Sequence, residues 1–506
     1  MTDTGSTLLR AVRPVDLCAD PRTVPAPVDV RLAGGRITEL GPDLPTAGSD
    51  VLDGGGGWLL PGLWDHHVHA DQWGTASQRL DTAGTTSPDE VCARVARHLA
   101  GRPAEDAGDA LQGYGHRTAA WSRQPTVAEL DAVSGDVPVV LISGDAHHGW
   151  LNSAALRHLG LPPRTGVIAE EEWFPLFLRL PELPGAAGLS RAGLSTALHD
   201  AVRRGVVGMV DMEFTDGFRH WPARVAAGLD LIKVRAACYP PVLAEVLLAG
   251  LRTGQPLEPS GLIEMGPLKI ISDGSLSTRT AWCCEPYADA AVLPDPYGRA
   301  NLPAEELYDL LARATAGGLE VAVHAIGDAA IHRALDAFAA TGARGAIEHA
   351  QLIKVSDVSR LTELGVRASV QPAHLLDDRD VSGQCWPGRE DRCFAFASML
   401  RAGVDVRFGS DAPVSPLDPW LAVSAAVHRS GDDRDPWVPA QALSPTDALR
   451  CSTDGVDAPV VGGPADLVLL PYDPRTTVGS TAETAARLRD TRVLATIVAG
   501  RVVHQA

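Results

Sequence analysis

Lysine is scarce in this sequence. The chain has only three, Lys233, Lys269 and Lys354, so 41 of its 44 basic residues are arginine. Acidic residues outnumber basic ones, and the net charge of −19 argues against nucleic acid or an anionic membrane as a partner, because their phosphates would be repelled. No apolar run reaches the roughly 18 residues that a membrane helix needs. The N-terminus also lacks a basic segment followed by an apolar stretch, so no signal peptide is visible.

Two further absences narrow the function. The eight cysteines include no C-x-x-C pair, and the vicinal pair Cys283 and Cys284 is a poor zinc chelate and a poor disulfide. We therefore expect reduced thiols in a cytoplasmic protein. The sequence also contains no G-x-x-x-x-G-K-[ST] segment, which argues against an enzyme that binds phosphate through such a loop.

The composition and the two ends of the chain indicate the domain organisation. With 506 residues, 45% of them hydrophobic, the chain fits one large barrel and a smaller domain. Residues 28–40 alternate on both sides of a Gly-Gly pair, which is typical of a hairpin, and the last 45 residues have the same character. We expect residues 1–58 and 460–506 to form one small β-sandwich.

The middle of the chain alternates strand and helix patterns, as parallel βα units do. Eight strands close a (β/α)8 barrel, and this count predicts an α/β fold with a TIM-like barrel over residues 59–459. The expected strands are 59–69, 206–213, 231–239, 268–273, 320–325, 345–350, 367–371 and 404–410. The gap between the first two is too long for one connection, so residues 71–205 are expected to contain an inserted subdomain over the barrel mouth.

The segment "PGLWDHHVHAD" ends the first expected strand with three histidines. Because alternate side chains of a strand share a face, His67 and His69 point together with Asp65, whereas His66 faces the other way. Burying unpaired polar groups costs roughly 1–3 kcal/mol each. Two readings remain open for the pair: a shared metal, or two core histidines with hydrogen-bond partners.

Other strands end in the same way, which favours the metal. "LEVAVHAIGDAA" ends strand five with His324, "GAIEHAQLI" ends strand six with His349, and "VDVRFGSDAP" ends strand eight with Asp411. The carboxyl ends of barrel strands meet at one face, where barrel enzymes keep their chemistry. Imidazoles with a carboxylate bind divalent metals, with zinc as the first candidate.

Strand four contributes a lysine. In "LKIISDGS", Lys269 shares a face with Asp273. A charged ammonium would be repelled by a metal, whereas a neutral lysine can react with carbon dioxide to give an anionic carbamate that bridges two cations. Arginine stays protonated and cannot do so. In a chain with 41 arginines and only three lysines, this difference favours a chemical role for Lys269.

Nine motifs in order carry a resemblance to a known family. They include "PGLWDHHVH", "GDAHHGWLNSAAL", "LKIISDGSLSTRTA", "VAVHAIGDAAI", "AIEHAQLI" and "FGSDAPVSPLDPW". The chain resembles the metal-dependent amidohydrolase superfamily, specifically the amidohydrolase-3 branch with its N-substituted formamide deformylase-like proteins. The resemblance spans about residues 28–503. It implies a distorted barrel with a β-sandwich, and hydrolysis of amide or other C–N bonds by metal-activated water.

The resemblance also implies roles for individual residues. His67 and His69 would hold one metal with Asp411, and the carbamate of Lys269 would bridge to a second metal held by His324 and His349. Some relatives keep a single metal, so one and two metals both remain open. Asp411 would accept the proton of the attacking water and pass it to the leaving nitrogen.

Four further residues are candidates for substrate binding, each with a structural alternative. A structural hydrogen bond competes for His147 and a surface salt bridge for Arg279. Asp273 either orients Lys269 or binds substrate, and His374 either lines the mouth or is an ordinary loop histidine. Departures from the family pattern, among them Arg117 in "GYGHRTAAW", bear on the substrate more than on the reaction.

The expected function is that of a metal-dependent hydrolase that cleaves a non-peptide C–N bond of a small amide-type substrate, with an N-substituted formamide as one candidate. The alternative is an aminohydrolase acting on a ring C–NH2, which would release ammonia. A non-catalytic barrel scaffold is a minor alternative, since it would be marked by lost ligands and all of them are present. A homodimer is the assembly considered for the chain.

Overall fold

The computed structural model describes residues 5–76, 79–102, 108–185 and 190–506. The strands in these ranges are β1 (Ser6–Pro14), β2 (Val28–Ala33), β3 (Arg36–Gly41), β4 (Ser49–Asp53), β5 (Trp58–Pro61), β6 (Leu63–Val68), β7 (Leu80–Asp81), β8 (Leu111–His116), β9 (Val139–Ser143), β10 (His148–Leu151), β11 (Ile168–Ala169), β12 (Val206–Asp211), β13 (Lys233–Cys238), β14 (Ile263–Ile271), β15 (Val321–Ala325), β16 (Gly345–His349), β17 (Arg367–Val370), β18 (Val406–Phe408), β19 (Leu467–Leu470), β20 (Ala495–Val498) and β21 (Arg501–Gln505).

Helices alternate with the strands through most of the chain. They are α1 (Ala70–Ala76), α2 (Pro88–Ala100), α3 (Val127–Ser134), α4 (Ser153–His158), α5 (Phe174–Phe177), α6 (Ser190–Arg203), α7 (Gly217–Ala226), α8 (Leu243–Leu248), α9 (Ala304–Gly317), α10 (Asp328–Thr341), α11 (Val355–Leu364), α12 (His374–Cys385), α13 (Phe396–Arg401), α14 (Pro419–His428), α15 (Pro445–Arg450) and α16 (Thr481–Arg489). Among the described residues, no helix has both the length and the apolarity needed to cross a bilayer.

The eight barrel strands form one parallel sheet in the order β18-β17-β16-β15-β14-β13-β12-β6. The ends of β6 and β18 close the circle: the Asp411 N–H donates to the His67 carbonyl at 2.7 Å, and the His69 N–H donates to the Ala412 carbonyl at 2.9 Å. Apolar side chains of the strands pack against the surrounding helices in one large core. The expected α/β fold with a TIM-like barrel is confirmed.

The first expected strand, residues 59–69, is divided in the structure. β5 pairs with β19 and β1 in the terminal sheet, whereas β6 pairs with β12 in the barrel. Gly62 lies at the division, where its N–H donates to the Asp466 carbonyl at 2.8 Å. A continuous apolar run hides this division, because both halves are buried and only their pairing partners differ.

The fourth barrel strand also differs from its expected bounds, since β14 begins at Ile263 rather than at residue 268. Gly266 and Pro267 lie inside it, and such residues normally mark a strand boundary. Here a register shift between Ala236 and Cys238 of β13 accommodates them. A bulge of this kind lets a strand continue past a residue that lacks an N–H.

Both ends of the chain contribute to a separate set of strands, as expected. β1 joins two groups of strands. Its first half lies between β2 and β4, with β3 beyond β2, and its last two residues pair with β5, which β19, β20 and β21 follow. Their shared core includes Leu9, Val30, Leu467 and Ile497. The terminal strands therefore bury one apolar interior between residues that are more than 400 positions apart in the chain.

The connection between β6 and β12 contains a third sheet, in the order β11-β10-β9-β8-β7. It has its own apolar clusters around Trp173 and Trp150. Polar contacts hold it on the loop after β14: Glu170 accepts hydrogen bonds from Thr278 at 2.7 Å and Thr280 at 2.9 Å. The insertion therefore covers the face of the barrel at which the strands end.

Replacing Gly62 tests the close approach between the terminal sheet and the barrel. A Cβ at Gly62 would lie 2.3 Å from Cγ1 of Val207. Overpacking of this kind typically costs about 1–3 kcal/mol. We expect Gly62→Ala to lower the midpoint of chemical unfolding, whereas Gly41→Ala, with no atom within 4 Å of its Cβ, leaves it nearly unchanged. Equal midpoints for the two variants would contradict this packing.

Candidate metal centre

Buried polar side chains converge where the barrel strands end. His67, Lys269, His324, His349 and Asp411 come from or directly follow β6, β14, β15, β16 and β18. Each is at most 7% exposed. All five line one small cavity of about 40 Å³. The structure thus brings together the residues that the strand-end pattern singled out.

His67, His69 and Asp411 form one group with the geometry of a metal site. Their ligand atoms all lie within 4.8 Å of one another. Oδ1 of Asp411 is 3.5 Å from Nε2 of His67 and 3.3 Å from Nε2 of His69. This is the set expected for the first metal.

A second group shares the same aspartate. The ligand atoms of His349, His374 and Asp411 also lie within 4.8 Å of one another. Nε2 of His374 is 4.0 Å from Oδ2 of Asp411, and the rings of His349 and His374 stack with centroids 6.1 Å apart. The sequence placed His374 at the mouth as a candidate for substrate binding. Its position at the first residue of α12 makes it a candidate ligand as well.

His324 and Lys269 have different surroundings. Nε2 of His324 lies 3.2 Å from the Gly274 carbonyl and 3.6 Å from Oδ1 of Asp273, so this nitrogen is directed at protein oxygens. Its ring remains close to that of His349, with centroids 4.6 Å apart. Nζ of Lys269 lies 3.2 Å from Nε2 of His67. The roles of His324 and Lys269 in holding a second metal stay predictions.

The chemistry of the unpaired atoms fits a divalent cation. Among the described residues, Nδ1 of His349, Nε2 of His374 and Oδ1 of Asp411 are buried without a hydrogen-bond partner. Leaving such atoms unpaired costs roughly 1–3 kcal/mol each. Imidazole nitrogens and a carboxylate oxygen are the donors that zinc and similar metals take. A cation held by either group would satisfy atoms that the protein leaves without partners.

The electrostatics favour the protonation states that a metal requires. Burial lowers the pKa of His349 well below its ordinary value, which keeps the imidazole neutral. Burial alone would raise the pKa of Asp411, but the imidazoles of His67 and His69 outweigh it and hold that pKa well below its usual range. Burial also lowers the pKa of Lys269. The site therefore offers the neutral imidazole of His349 and the carboxylate anion of Asp411.

The backbone at two strand ends is strained in a way that aims the ligands. His349 has φ of 70° and Asp411 has φ of 57°, both in the left-handed region that residues with a side chain rarely adopt. Such conformations cost of order 1–3 kcal/mol each and persist where the surroundings impose them. At both positions the chain turns sharply as it leaves the barrel, and the side chain remains at the centre of the mouth.

Glu348 is a functional candidate that sequence reasoning missed. Its Oε2 lies 2.8 Å from Nδ1 of His67, so the Nδ1–H donates to the carboxylate and Nε2 carries no proton on the side of Lys269 and Asp411. A carboxylate behind a metal-binding histidine fixes its tautomer and orientation. The only signal in the sequence was the acid directly before His349 in "GAIEHAQLI".

Asp65 and Asp273 support the site from buried positions. Oδ1 of Asp65 accepts from the backbone N–H groups of His67 at 3.1 Å and Ser410 at 2.9 Å, which joins the first strand to the last. Asp273 accepts from the N–H groups of Trp282, Ile326 and Gly327 at 2.9, 3.1 and 2.9 Å. These contacts give Asp273 a structural function beside His324, and its predicted contact with substrate is untested.

The other two candidates for substrate binding differ in position. His147 lines the cavity, and its Nδ1 is 3.1 Å from Oε2 of Glu170. Burial would lower its pKa, but the carboxylates of Glu170 and Asp145 raise it to about 9. Arg279 instead pairs with Asp289 at 3.2 Å and is absent from the lining among the described residues. A contact between Arg279 and substrate stays a prediction.

The sequence matches a known protein family over most of its length. A model of the amidohydrolase family matches residues 50–504. The chain belongs to the amidohydrolase family.

Relatives of this amidohydrolase cover most of its length. It is 27% identical over 492 residues to the putative amidohydrolase YtcJ of Bacillus subtilis (strain 168), which covers 89% of each chain. It is 26% identical over 472 residues to N-substituted formamide deformylase of Arthrobacter pascens, which covers 84% of each chain. The solved structure of an uncharacterized metal-dependent hydrolase from Pyrococcus horikoshii OT3 matches with a TM-score of 0.76 at 26% identity, over 94% of this chain and 99% of the other.

Removing the carboxylate behind His67 tests its contribution to the amidohydrolase site. Loss of such a partner typically lowers metal affinity 10–100-fold. We expect Glu348→Gln to weaken metal binding by about that factor, measured by competition with a chelator of known affinity. Glu320→Gln is the matched control, because Glu320 pairs with Arg367 at the opposite end of the strands. Equal metal affinities in the two variants would remove Glu348 from this role.

Proposed function

We propose that this amidohydrolase cleaves a non-peptide C–N bond of a small amide-type molecule, with N-substituted formamides as the first candidates. The observation that carries the proposal is Asp411, whose carboxylate belongs to both candidate ligand groups at the floor of the cavity. The relative from Arthrobacter pascens, named an N-substituted formamide deformylase, supports this choice of bond.

The residues present define which groups would hold a divalent metal, with zinc proposed first. His67, His69 and Asp411 form one set, and His349 and His374 supply further nitrogens beside the same aspartate. A metal bound there supplies Lewis acidity, which polarises a carbonyl and lowers the pKa of water towards neutrality. Free cysteines throughout the described residues support a proposed cytoplasmic location.

Asp411 is suited to move the proton in this reaction. Its low pKa keeps it ionised, so it can accept a proton from the attacking water. Asp411 then donates that proton to the leaving nitrogen, which departs as a neutral amine. The imidazolium of His147, held by Glu170, faces the same cavity and would stabilise negative charge that develops on the substrate oxygen.

Replacing Asp411, with metal content measured in the same samples, tests its part in proton transfer. General acid–base catalysis contributes about 10²–10⁴-fold to a rate, so Asp411→Asn is expected to lower kcat by at least a factor of about 100. The assays measure amine, carboxylate and ammonia release from a panel of formamides, acyl-amino compounds, cyclic amides and aminated rings. The control is Asp405→Asn, because Asp405 and its partner Arg407 lie at the start of β18 rather than at the end that carries Asp411.

The products decide between the possible reactions. Carboxylate and amine in equal amounts support the proposal, whereas ammonia from an aminated ring identifies an aminohydrolase. Full activity of Asp411→Asn would exclude that residue from proton transfer. Metal content of the same samples, measured by elemental analysis, shows whether the variant still binds the metal.

We further propose that Lys269 carries a carbamate that bridges two metal ions. The buried Lys269, with its lowered pKa, favours the neutral amine that reacts. Its Nζ forms a bond to the carbon of carbon dioxide and loses one proton, which leaves a single negative charge. The position of Nζ, 3.2 Å from Nε2 of His67, brings this group next to the candidate ligands.

Charge and metal content test the carbamate. We expect Lys269→Arg to lower the bound metal from two ions to one or none per chain, and Lys269→Glu to retain more, because a carboxylate resembles the carbamate. Lys354→Arg is the control at a surface position. A carbamate signal should appear in the ¹³C spectrum of the wild type, but not of Lys269→Arg, after equilibration with ¹³C-bicarbonate. Metal content that is unchanged in both variants would exclude a bridging ligand.

A further inference from the structure

A second, much larger cavity adjoins the metal cavity. We call it the vestibule: it lies between α1, α6, the ends of β7 and β8, and the loop 413–417, and its volume is about 630 Å³. Pro413 and Val414 line both cavities. The loop that follows Asp411 therefore forms the wall between the metal ligands and the vestibule.

The two volumes assign different parts of a substrate to the two cavities. A cavity of about 40 Å³ has room for roughly three water molecules, which is enough for an amide group with a small acyl substituent. Phe174, Phe214 and Tyr239 limit it on one side. A cavity of about 630 Å³ is within the range of sites that hold drug-sized ligands. The vestibule therefore has the space for the bulk of a substrate, which the metal cavity lacks.

The wall of the vestibule is suited to an apolar group. Trp73, Val414 and Leu417 line it together with Pro413 and Pro416. The Tyr114 hydroxyl is already used, since it donates to the Gly144 carbonyl at 2.9 Å. The Thr85 hydroxyl is used in the same way, since it donates to the Thr82 carbonyl at 2.8 Å.

The charges of the vestibule disfavour an anionic group. Arg117 donates to Asp377 at 3.0 Å and lies 3.7 Å from Asp378. Arg204 is paired with Asp418. The carboxylate of Asp81 also lines the vestibule and has no cationic partner among the described residues. A carboxylate on a substrate would therefore meet cations that are already paired, together with the Asp81 carboxylate, whose Oδ1 accepts only from the Ala83 N–H among the described residues.

We infer that the vestibule selects amides with a small acyl group and a large, mostly apolar N-substituent that is neutral or cationic, and rejects N-substituents that carry a carboxylate. The inference rests on the proposed function and specifies its substrate class. It separates simple N-substituted amides from N-acyl amino acids, which the chemistry at the metal would treat alike.

Three matched formamides test the selection by charge: N-phenethylformamide, its 4-carboxy analogue and its 4-aminomethyl analogue. For the wild type, we expect kcat/KM of the carboxy compound to be at least tenfold below that of the neutral one, with the difference mainly in KM. The aminomethyl compound should equal or exceed the neutral one. A wild type that hydrolyses the carboxy compound as well as the neutral one would overturn the inference.

A change of one ion pair tests the origin of the selection. Asp377→Asn releases Arg117 from its nearest carboxylate, so the ratio of kcat/KM for the carboxy compound to that for the neutral one should rise about fivefold. Asp380→Asn is the control: it removes a carboxylate from the same helix, but its partner Arg434 lies outside the vestibule lining. Equal ratios in the two variants would overturn the inference.

Binding without turnover separates this inference from the proposed function. Calorimetry of the wild type compares 4-phenylbutan-2-one, a ketone that cannot be hydrolysed, with 4-(3-oxobutyl)benzoate, its carboxylate analogue. Preference for the neutral ketone, reduced in Asp377→Asn, supports the vestibule even if no amide is cleaved. Amide hydrolysis with equal binding of the two ketones, or with binding of neither, overturns the vestibule inference and leaves the proposed function standing.

Discussion

The hydrogen bonds that close the barrel are the constraint on which the site depends. The first and last strands meet through the backbone of His67 with Asp411 and of His69 with Ala412, and the carboxylate of Asp65 reinforces the junction. These bonds bring together two histidines and an aspartate that are more than 340 residues apart. If the barrel opened at this junction, the shared aspartate would leave both groups of candidate ligands.

Metal binding would also explain the strain and the buried polar atoms at the barrel mouth. Left-handed backbone at His349 and Asp411, together with unpaired imidazole nitrogens, would lower the stability of a protein with no use for them. A bound cation would offset the unpaired atoms, and metal binding would then be coupled to the stability of the barrel mouth. Glu348 acts on the site indirectly: it orients His67 through a hydrogen bond and does not line the cavity.

Much of this arrangement could be predicted from the sequence, because strand ends are marked by a change from apolar to polar residues. His67, His324, His349 and Asp411 were found this way, and so were all eight barrel strands. His374 and Glu348 were not recognised as parts of the centre. His374 lies on a helix after its strand, and Glu348 acts through a contact with a residue 281 positions away. The division of the first expected strand at Gly62 could not be predicted for a related reason. The sheet that a buried strand joins depends on its pairing partners, which lie far away in the sequence.

The insertion separates chemistry from selection in this amidohydrolase. The barrel supplies the candidate ligands, including the proposed proton acceptor Asp411, and the insertion supplies His147 and Phe174, which line the same small cavity. Arg117, where the sequence departs from the family pattern, lies instead in the vestibule and is neutralised by acids of α12. Changes there alter the charge that a substrate meets without touching a metal ligand. A barrel mouth built in this way can keep one reaction while the insertion and the facing helix change the substrates that reach it.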